Sequence, residues 1–149
     1  MKKSKGFTLV EILIVVVILG ILAAIVIPQF TDASTEAKTS SLCSDLQTVR
    51  SQIELYKIQH NDAVPVPETG GASWNLMTMY TDVDGNTNAT KTTVFKYGPY
   101  LQKVPTNSFN DLNTIDIDGT VGDDNAGWEF NSTTGAFHAD DDGTGHSAL

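Results

Sequence analysis

The feature that most constrains this chain is a long apolar run near its N-terminus. Sixteen consecutive uncharged residues, all aliphatic except Gly20, occupy positions 12–27. The 24 residues from Phe7 to Phe30 carry a single charge, that of Glu11. A helix that crosses the hydrocarbon core of a bilayer needs about 20 such residues. The sequence therefore predicts a membrane-spanning helix over residues 7–30.

Three lysines precede this run, at positions 2, 3 and 5. Because basic residues stay on the cytoplasmic side, they predict a single pass with the N-terminus in the cytoplasm. A secretory signal peptide is one alternative, but its apolar region is about 7–15 residues long and ends at a small-residue cleavage site. This run is longer, and no Ala-x-Ala site follows it. A plain signal anchor is the second alternative, and neither of the two explains Glu11.

Glu11 is the unusual residue of the segment. A charged side chain inside a spanning helix costs at least about 2.5–3.5 kcal/mol and normally has a partner. The nearest basic residue, Lys5, lies beyond the Gly6–Phe7 junction. Cleavage at that junction would create an α-amino group four residues before Glu11, which would neutralise the carboxylate in the same chain or in a neighbour. A helix N-terminus also favours a carboxylate in its first turn.

The residues Lys-Gly-Phe-Thr-Leu-Val-Glu, followed by an aliphatic helix, resemble the class III signal of type IV pilins and type II secretion pseudopilins. The resemblance covers residues 2–30. It implies that a prepilin peptidase cleaves after Gly6 and N-methylates Phe7. It also implies that Glu11 pairs with the amino terminus of an adjacent subunit during assembly into a helical filament. Pro28 matches the family's proline late in the apolar segment, and we expect it to contribute to assembly.

Beyond Pro28 the sequence becomes polar but remains compatible with a helix. Apolar residues recur at spacings of 4, 3, 4 and 3, which is typical of one face of an amphipathic helix: Leu42, Leu46, Val49, Ile53 and Tyr56. We expect a continuous helix from Phe7 to about His60, which Pro28 kinks or loosens. Cys43 lies beside the stripe and is interpreted as a packing residue. It is the only cysteine, so no intramolecular disulfide can form.

The C-terminal part predicts an α+β head. Residues 74–80 suggest a short helix that buries Trp74, Met77 and Tyr80, and Thr92–Tyr97 suggests a strand. Trp128, Phe130 and Phe137 flank a turn at residues 131–135, as in a hairpin with one apolar face. We expect three or four antiparallel strands packed on the helical stripe, followed by a polar, frayed tail from residue 140. The predicted organisation is a leader (1–6), a spanning and filament-core helix (7–30), and an amphipathic helix with a globular head (31–149).

An acidic loop offers a candidate metal site. Four carboxylates lie within nine residues: Asp116, Asp118, Asp123 and Asp124. Calcium takes six to eight oxygen ligands from a loop that can wrap around it. The loop is not an EF-hand, because Val121 occupies the position where glycine is needed. The resemblance to major pseudopilins implies a calcium site near the final sheet, and we predict one here. The alternative is a set of solvated acids in tight Asp-Gly turns.

Charge and motifs exclude several functions. From residue 7 onward the chain has 6 basic and 18 acidic residues, and such a surface repels nucleic acid. His60, His138 and His146 are widely separated, and we interpret them as solvated or helix-end histidines rather than ligands. The sequence contains no nucleophile elbow, Cys/His pair or phosphate-binding loop, so we do not expect an enzyme.

Within the family, the sequence most resembles a major pseudopilin of a type II secretion system. The segment from Tyr97 to Phe109 resembles a family element through Tyr100, Leu101 and Pro105, although Ser108 and Phe109 replace a proline and a tryptophan. Alternatives are a type IV pilin for adhesion, motility or DNA uptake, and a signal-anchored periplasmic binding module.

The resemblance implies four partners: further copies of the chain, a prepilin peptidase, an inner-membrane assembly platform with its ATPase, and minor pseudopilins. It places the chain in a bacterial inner membrane with a periplasmic head, and then in a periplasmic filament.

Overall fold

The structure is a computed structural model that describes residues 6–68, 73–141 and 146. The chain divides into two compact units, Met1–Ala37 and Lys38–Leu149. Helix α1 (Leu9–Gln59) begins in the first unit and ends in the second. The three N-terminal lysines lie outside the described residues, so the orientation that they predict is untested.

The N-terminal part of α1 is an apolar helix with no buried face. Its large aliphatic side chains between positions 12 and 27 are 51–64% exposed. The helix is long and apolar enough to cross a membrane. Pro28 lies inside α1, and the helix continues through it, although proline provides no backbone N–H. The expectation of a helix from Phe7 to about His60 agrees with α1 to within two residues.

The C-terminal part of α1 buries the predicted stripe. Each of its five members is at most 2% exposed: Leu42, Leu46, Val49, Ile53 and Tyr56. They join a hydrophobic core with Trp74, Trp128 and Phe137. Burying one such side chain contributes about 1.5–3 kcal/mol. Packing against the head therefore stabilises this part of α1.

The segment after α1 follows the prediction only in part. Helix α2 (Asn75–Thr78) forms, with Met77 buried, while Tyr80 begins strand β1 (Tyr80–Thr81), which pairs with β2 (Thr87–Asn88). The predicted strand at residues 92–97 is absent apart from one bridge between Tyr97 and Thr81. The Thr92 hydroxyl accepts the N–H of Phe95 at 3.0 Å, so a side-chain turn replaces ladder pairing.

The main sheet contains β3 (Ile115–Ile117), β4 (Trp128–Phe130) and β5 (Phe137–Ala139), in the order β3-β4-β5. Strands β4 and β5 form the predicted antiparallel hairpin. Strands β3 and β4 are parallel, so the expectation of a wholly antiparallel sheet was wrong. The connection through residues 118–127 returns the chain to the end of the sheet where β3 began. The α+β fold of a long helix followed by small sheets is confirmed.

Candidate functional site

The predicted processing junction lies just before α1. Gly6 and Phe7 are both exposed, Phe7 by 83%. A Cβ atom placed on Gly6 would meet no atom within 4 Å. The peptide bond between them is therefore open to an enzyme that approaches from outside.

Thr8 and Glu11 form a reciprocal cap at the start of α1. The backbone N–H and the hydroxyl of Thr8 each donate to Oε2 of Glu11 at 2.7 Å. The N–H of Glu11 donates in turn to the Thr8 hydroxyl oxygen at 3.2 Å. This is a capping box, in which each side chain satisfies a backbone donor that the first helical turn leaves unpaired. The sequence analysis identified Glu11 but not Thr8, although the Thr-x-x-Glu pattern is typical of a capping box.

The cap fixes how the Glu11 carboxylate is oriented. Both Thr8 donors reach the same oxygen, Oε2, and Oε1 makes no hydrogen bond to any described residue. A carboxylate oxygen left open at the start of a helix can accept hydrogen bonds from an ammonium group of another molecule. The apolar side chains that follow leave no other acid in the first turn.

The structure does not bring the four predicted calcium ligands together. Each carboxylate already accepts a hydrogen bond from the chain: Asp116 from Ile117 N–H, Asp118 from Ser132, Asp123 from Asn125 N–H and Asp124 from Asn110. The Ser132 hydroxyl, followed by its backbone N–H, lowers the pKa of Asp118. Within the described ranges, no three His, Cys, Asp or Glu side chains are grouped so as to hold a metal. The set does not fit calcium as it stands, and the calcium site stays a prediction.

Asp140 fixes this acidic loop through hydrogen bonds. The sequence analysis did not identify this role of Asp140. Its Oδ1 accepts the N–H groups of Gly122 and Asp123 at 2.7 and 3.1 Å, and its Oδ2 accepts that of Ala126 at 3.0 Å. The Asp140 side chain is fully buried. The predicted fraying was therefore wrong for this residue, because three backbone donors compensate the loss of water around its carboxylate.

The described tail residues that follow Asp140 are also shielded from solvent. Asp141 is buried, with Oδ1 2.7 Å from Nδ1 of His146 and Oδ2 accepting the side-chain amide of Asn107 at 3.1 Å. The interpretation of His146 as solvated was wrong, because its ring contacts the buried Asp141 carboxylate and packs at a tilt against Phe109, with ring centroids 3.9 Å apart. The other tail positions lie outside the described residues.

His60 follows the end of α1, as expected of a helix-end histidine, but it is buried rather than solvated. Its ring stacks on Tyr56 with centroids 3.8 Å apart. Nδ1 lies 2.9 Å from the Tyr56 carbonyl oxygen, which can only accept, so Nδ1 carries the proton. Nε2 lies 2.9 Å from the Thr81 hydroxyl oxygen, within hydrogen-bond distance. These contacts are structural and tie α1 to β1.

Glu129 is the least expected acid of the head. It occupies the centre of β4 and is 3% exposed. Burial, together with the charges of Asp116, Asp140 and Asp118, raises its pKa to about 7, although the N–H of Gly119 acts in the opposite direction. The alternation of Trp128, Glu129 and Phe130 gave no sign that the middle side chain is covered.

Comparison with known proteins provides independent information about the family of this chain. The family described as the prokaryotic N-terminal methylation motif matches residues 1–27. The type II secretion system core protein G of Pseudomonas aeruginosa is 41% identical over 69 residues, which make up 46% of this chain and 48% of that protein. The core protein G of Vibrio cholerae is 30% identical over 145 residues, covering 91% and 90% of the two chains.

A further relative is the type IV narrow pilus major component PilA5 of Thermus thermophilus. It is 33% identical over 106 residues, which cover 64% of this chain and 90% of that protein. For the core G proteins of Pseudomonas aeruginosa, Dickeya chrysanthemi and Klebsiella pneumoniae, this chain spans about half of their length. No solved structure gave a significant match.

Proposed function

The chain belongs to the family of type IV pilins and type II secretion pseudopilins, and we propose that it is the major pseudopilin of a type II protein secretion system. Membership implies a filament and processing by a prepilin peptidase. The family is structural rather than known for catalysis. The repeated likeness to core protein G supports the secretion assignment within it.

Processing is the first step of the proposal. The peptidase removes residues 1–6 and N-methylates Phe7, and the exposure of both junction residues supports this. The new amine precedes Thr8, so the capping box lies directly beside it. In this arrangement Thr8 keeps one oxygen of Glu11 occupied and leaves Oε1 for an incoming charge.

Assembly is the second step. Oε1 of Glu11 accepts the ammonium group of Phe7 from a neighbouring subunit, while the exposed aliphatic side chains of residues 12–27 pack against those of other copies. Transfer from lipid into a protein bundle gains little hydrophobic energy, because lipid is already apolar. The charge pair and the shape of the helix must therefore set the register. Pro28, which has no N–H to donate, marks where α1 can adjust within the bundle.

The proposed location follows from the spanning helix. Residues 7–30 lie in the bacterial inner membrane with the head (residues 31–149) in the periplasm, and the subunit then enters a periplasmic filament. The proposed partners are further copies of the chain, the prepilin peptidase, an assembly platform with its ATPase, and minor pseudopilins.

The observation that carries this function is the combination of an exposed Gly6–Phe7 junction with a carboxylate held in the first turn of an apolar helix. Mass spectrometry of the mature chain tests the processing step: we expect an N-methylated Phe7 as the first residue. A chain that keeps Met1, or begins elsewhere, contradicts the proposal.

Glu11→Gln tests the assembly step. The variant should insert and fold normally yet form at least tenfold fewer filaments, because an amide cannot neutralise the neighbouring amine. Asp32→Asn is the matched control, since it removes an exposed acid from the same helix outside the first turn, and it should assemble like the wild type. Normal filaments from Glu11→Gln would refute the pairing.

A type IV pilin is the second candidate, favoured by the 33% identity that extends over 90% of the Thermus thermophilus pilus component. Deleting the gene separates the two. Loss of protein export with intact surface pili supports the pseudopilin, whereas loss of pili with intact export supports the pilin.

A further inference from the structure

One exposed loop of the head combines positive charge with apolar surface. It comprises residues 91–96, where a side-chain turn at Thr92 replaces the predicted strand. Lys91 and Lys96 are exposed, and the Val94 side chain between them is 59% exposed. The two lysines are two of the six basic residues beyond position 30, in a region that contains 17 acidic residues. We call Lys91, Val94 and Lys96 the basic patch.

The loop between β3 and β4 has a similar build with the opposite charge. Asp118, Asp123 and Asp124 are exposed, and Val121 in the same loop is 39% exposed. The hydrogen bonds that these carboxylates accept come from neutral amide and hydroxyl groups. Such bonds orient the carboxylates but leave their negative charge in place. We call Asp118, Val121, Asp123 and Asp124 the acidic patch.

The basic patch lies at the end of the head where α1 stops. Tyr97 directly follows Lys96, and the ring of Tyr97 meets the ring of His60 with centroids 5.2 Å apart. His60 is the residue that follows the last residue of α1. The loop that carries the basic patch is therefore held beside the C-terminal end of this helix.

The acidic patch lies toward the other end of the head. The Asn110 side-chain amide donates to Oδ1 of Asp124 at 2.9 Å, and the neighbouring Phe109 ring lies 5.8 Å from Nζ of Lys38. Lys38 precedes the last residue of α1 by 21 residues, which is about 32 Å at 1.5 Å per residue. The two patches therefore lie toward opposite ends of this part of α1, and they are not positioned to neutralise each other within one subunit.

We propose that the basic patch of one subunit binds the acidic patch of a second copy of the chain. Opposite charges around an exposed valine in each patch make the two surfaces complementary. A symmetric contact would instead bring two patches of like charge together, which is unfavourable. A contact between two different surfaces is heterologous, and its repetition gives an open helical assembly when the rotation does not close. The inference rests on the proposed filament function and specifies which surfaces of the heads meet.

Cross-linking of assembled filaments tests the contact directly. The full chain is used with Cys43→Ser, so that no native thiol reacts, and a short bis-maleimide links the introduced cysteines. The variant with both Val94→Cys and Val121→Cys should give a ladder of covalent multimers, because each copy offers both sides of the contact. Either cysteine alone should give monomers only. Val66→Cys combined with Val121→Cys is the matched control and should give no ladder, since Val66 is exposed outside both patches.

Charge reversal tests the complementarity. Lys91→Glu with Lys96→Glu makes both patches acidic, whereas Asp123→Lys with Asp124→Lys gives both a net positive charge. Each pair of changes should reduce the yield of filaments roughly tenfold, because like charges then face each other across the contact. The chain with all four changes should recover most of the wild-type yield, since its patches have exchanged charge. Changes that only damaged the fold of one loop would not be rescued by changes in the other.

Four results would overturn the inference: filaments without the link between positions 94 and 121, a ladder from a single cysteine, a link from position 94 to a different protein, and wild-type filament yield from both charge variants. If the variant of the acidic loop fails to fold, the cross-link decides alone, because it leaves every charge in place. Intact filaments that lack the link refute only this contact. A wild-type chain that forms no filaments refutes the proposed function and this contact together.

Discussion

The two parts of α1 have the same backbone structure and opposite surroundings. Between positions 12 and 27 the large aliphatic side chains are more than half exposed, whereas the stripe from Leu42 to Tyr56 is almost completely covered. Helix formation alone therefore does not decide where an apolar side chain ends up. The apolar side chains of the first part need lipid or other copies of the chain to cover them. Those of the second part are covered by the head of the same chain.

Polar groups show the reverse contrast. The N-terminal part contains an exposed capping box formed by two neighbouring residues. The head instead buries polar side chains that come from distant positions, such as Asn107 and Asp140. The polar contact of the first part is local, whereas Asn107 and Asp140 in the head bond to residues that are distant along the chain.

The largest expected effect comes from emptying the head core. Trp128→Ala should lower the free energy of unfolding by about 3–5 kcal/mol, because the fully buried indole leaves a cavity. Ile18→Ala, at a half-exposed position of the N-terminal part, should leave the unfolding of the head within about 0.5 kcal/mol of the wild type. Urea unfolding followed by circular dichroism measures both. Equal losses would show that the two parts unfold as one unit.

A smaller loss is expected from the buried polar network. The Asn107 amide donates to the Gly127 carbonyl oxygen at 2.9 Å and to Oδ2 of Asp141 at 3.1 Å, and Asn107→Ala removes both of these buried hydrogen bonds. We expect a loss of about 1–3 kcal/mol by urea unfolding. Asn125→Ala, at an exposed loop position, is the control and should change little. A neutral Asn107→Ala would mean that water replaces the amide.

How far the sequence predicts this structure depends on the distance over which each signal acts. The stripe of α1 and the hairpin around residues 131–135 depend on neighbouring residues, and both were predicted correctly. The parallel pairing of β3 with β4 depends on how residues 118–127 are held by Asp140, which comes after both strands. No local pattern contains that information. The pairing of Glu129 with His138 is hidden in the same way, because only strand register brings the two residues opposite each other.

The candidate N-terminal site was easier to predict from the sequence, because the Gly6–Phe7 junction, Glu11 and the apolar run lie close together along the chain. Thr8 completes it and was missed although its pattern is local. Thr92 shows the converse: its β-branched neighbours favour a strand, but its hydroxyl captures a backbone N–H and forms a turn instead.

The capping box allows a third prediction. Thr8→Val keeps the shape of the side chain but removes its hydroxyl, and should destabilise the first turn of α1 by about 0.5–2 kcal/mol. We expect faster amide hydrogen exchange at Glu11 and fewer filaments, with unchanged unfolding of the head. Thr31→Val is the control, because it removes a hydroxyl bond to the Ile27 carbonyl within the same helix. Unchanged exchange at Glu11 would show that the cap contributes nothing.

The smallest effect concerns an exposed turn of the head. Asp82 accepts the Asn86 side-chain amide at 2.8 Å, and this bond, with further backbone N–H groups, lowers the pKa of Asp82 below its ordinary value of 3.8. A depressed pKa contributes stability that is present above the ordinary value and lost as the pH falls through the folded-state value. Asp82→Asn should therefore reduce the acid sensitivity of the head between pH 6 and pH 3. The urea midpoints at both pH values measure it, and an identical pH dependence would contradict the prediction.

The order of the elements along the chain has a consequence for biosynthesis. The stripe on α1 is made early, but Phe130 and Phe137, which cover it, follow about ninety residues later. At a synthesis rate of about 5–20 residues per second, the stripe waits roughly 5–20 s for its partners. The apolar N-terminal run is complete before that interval begins. The head therefore closes last, on a helix whose apolar N-terminal part is already complete.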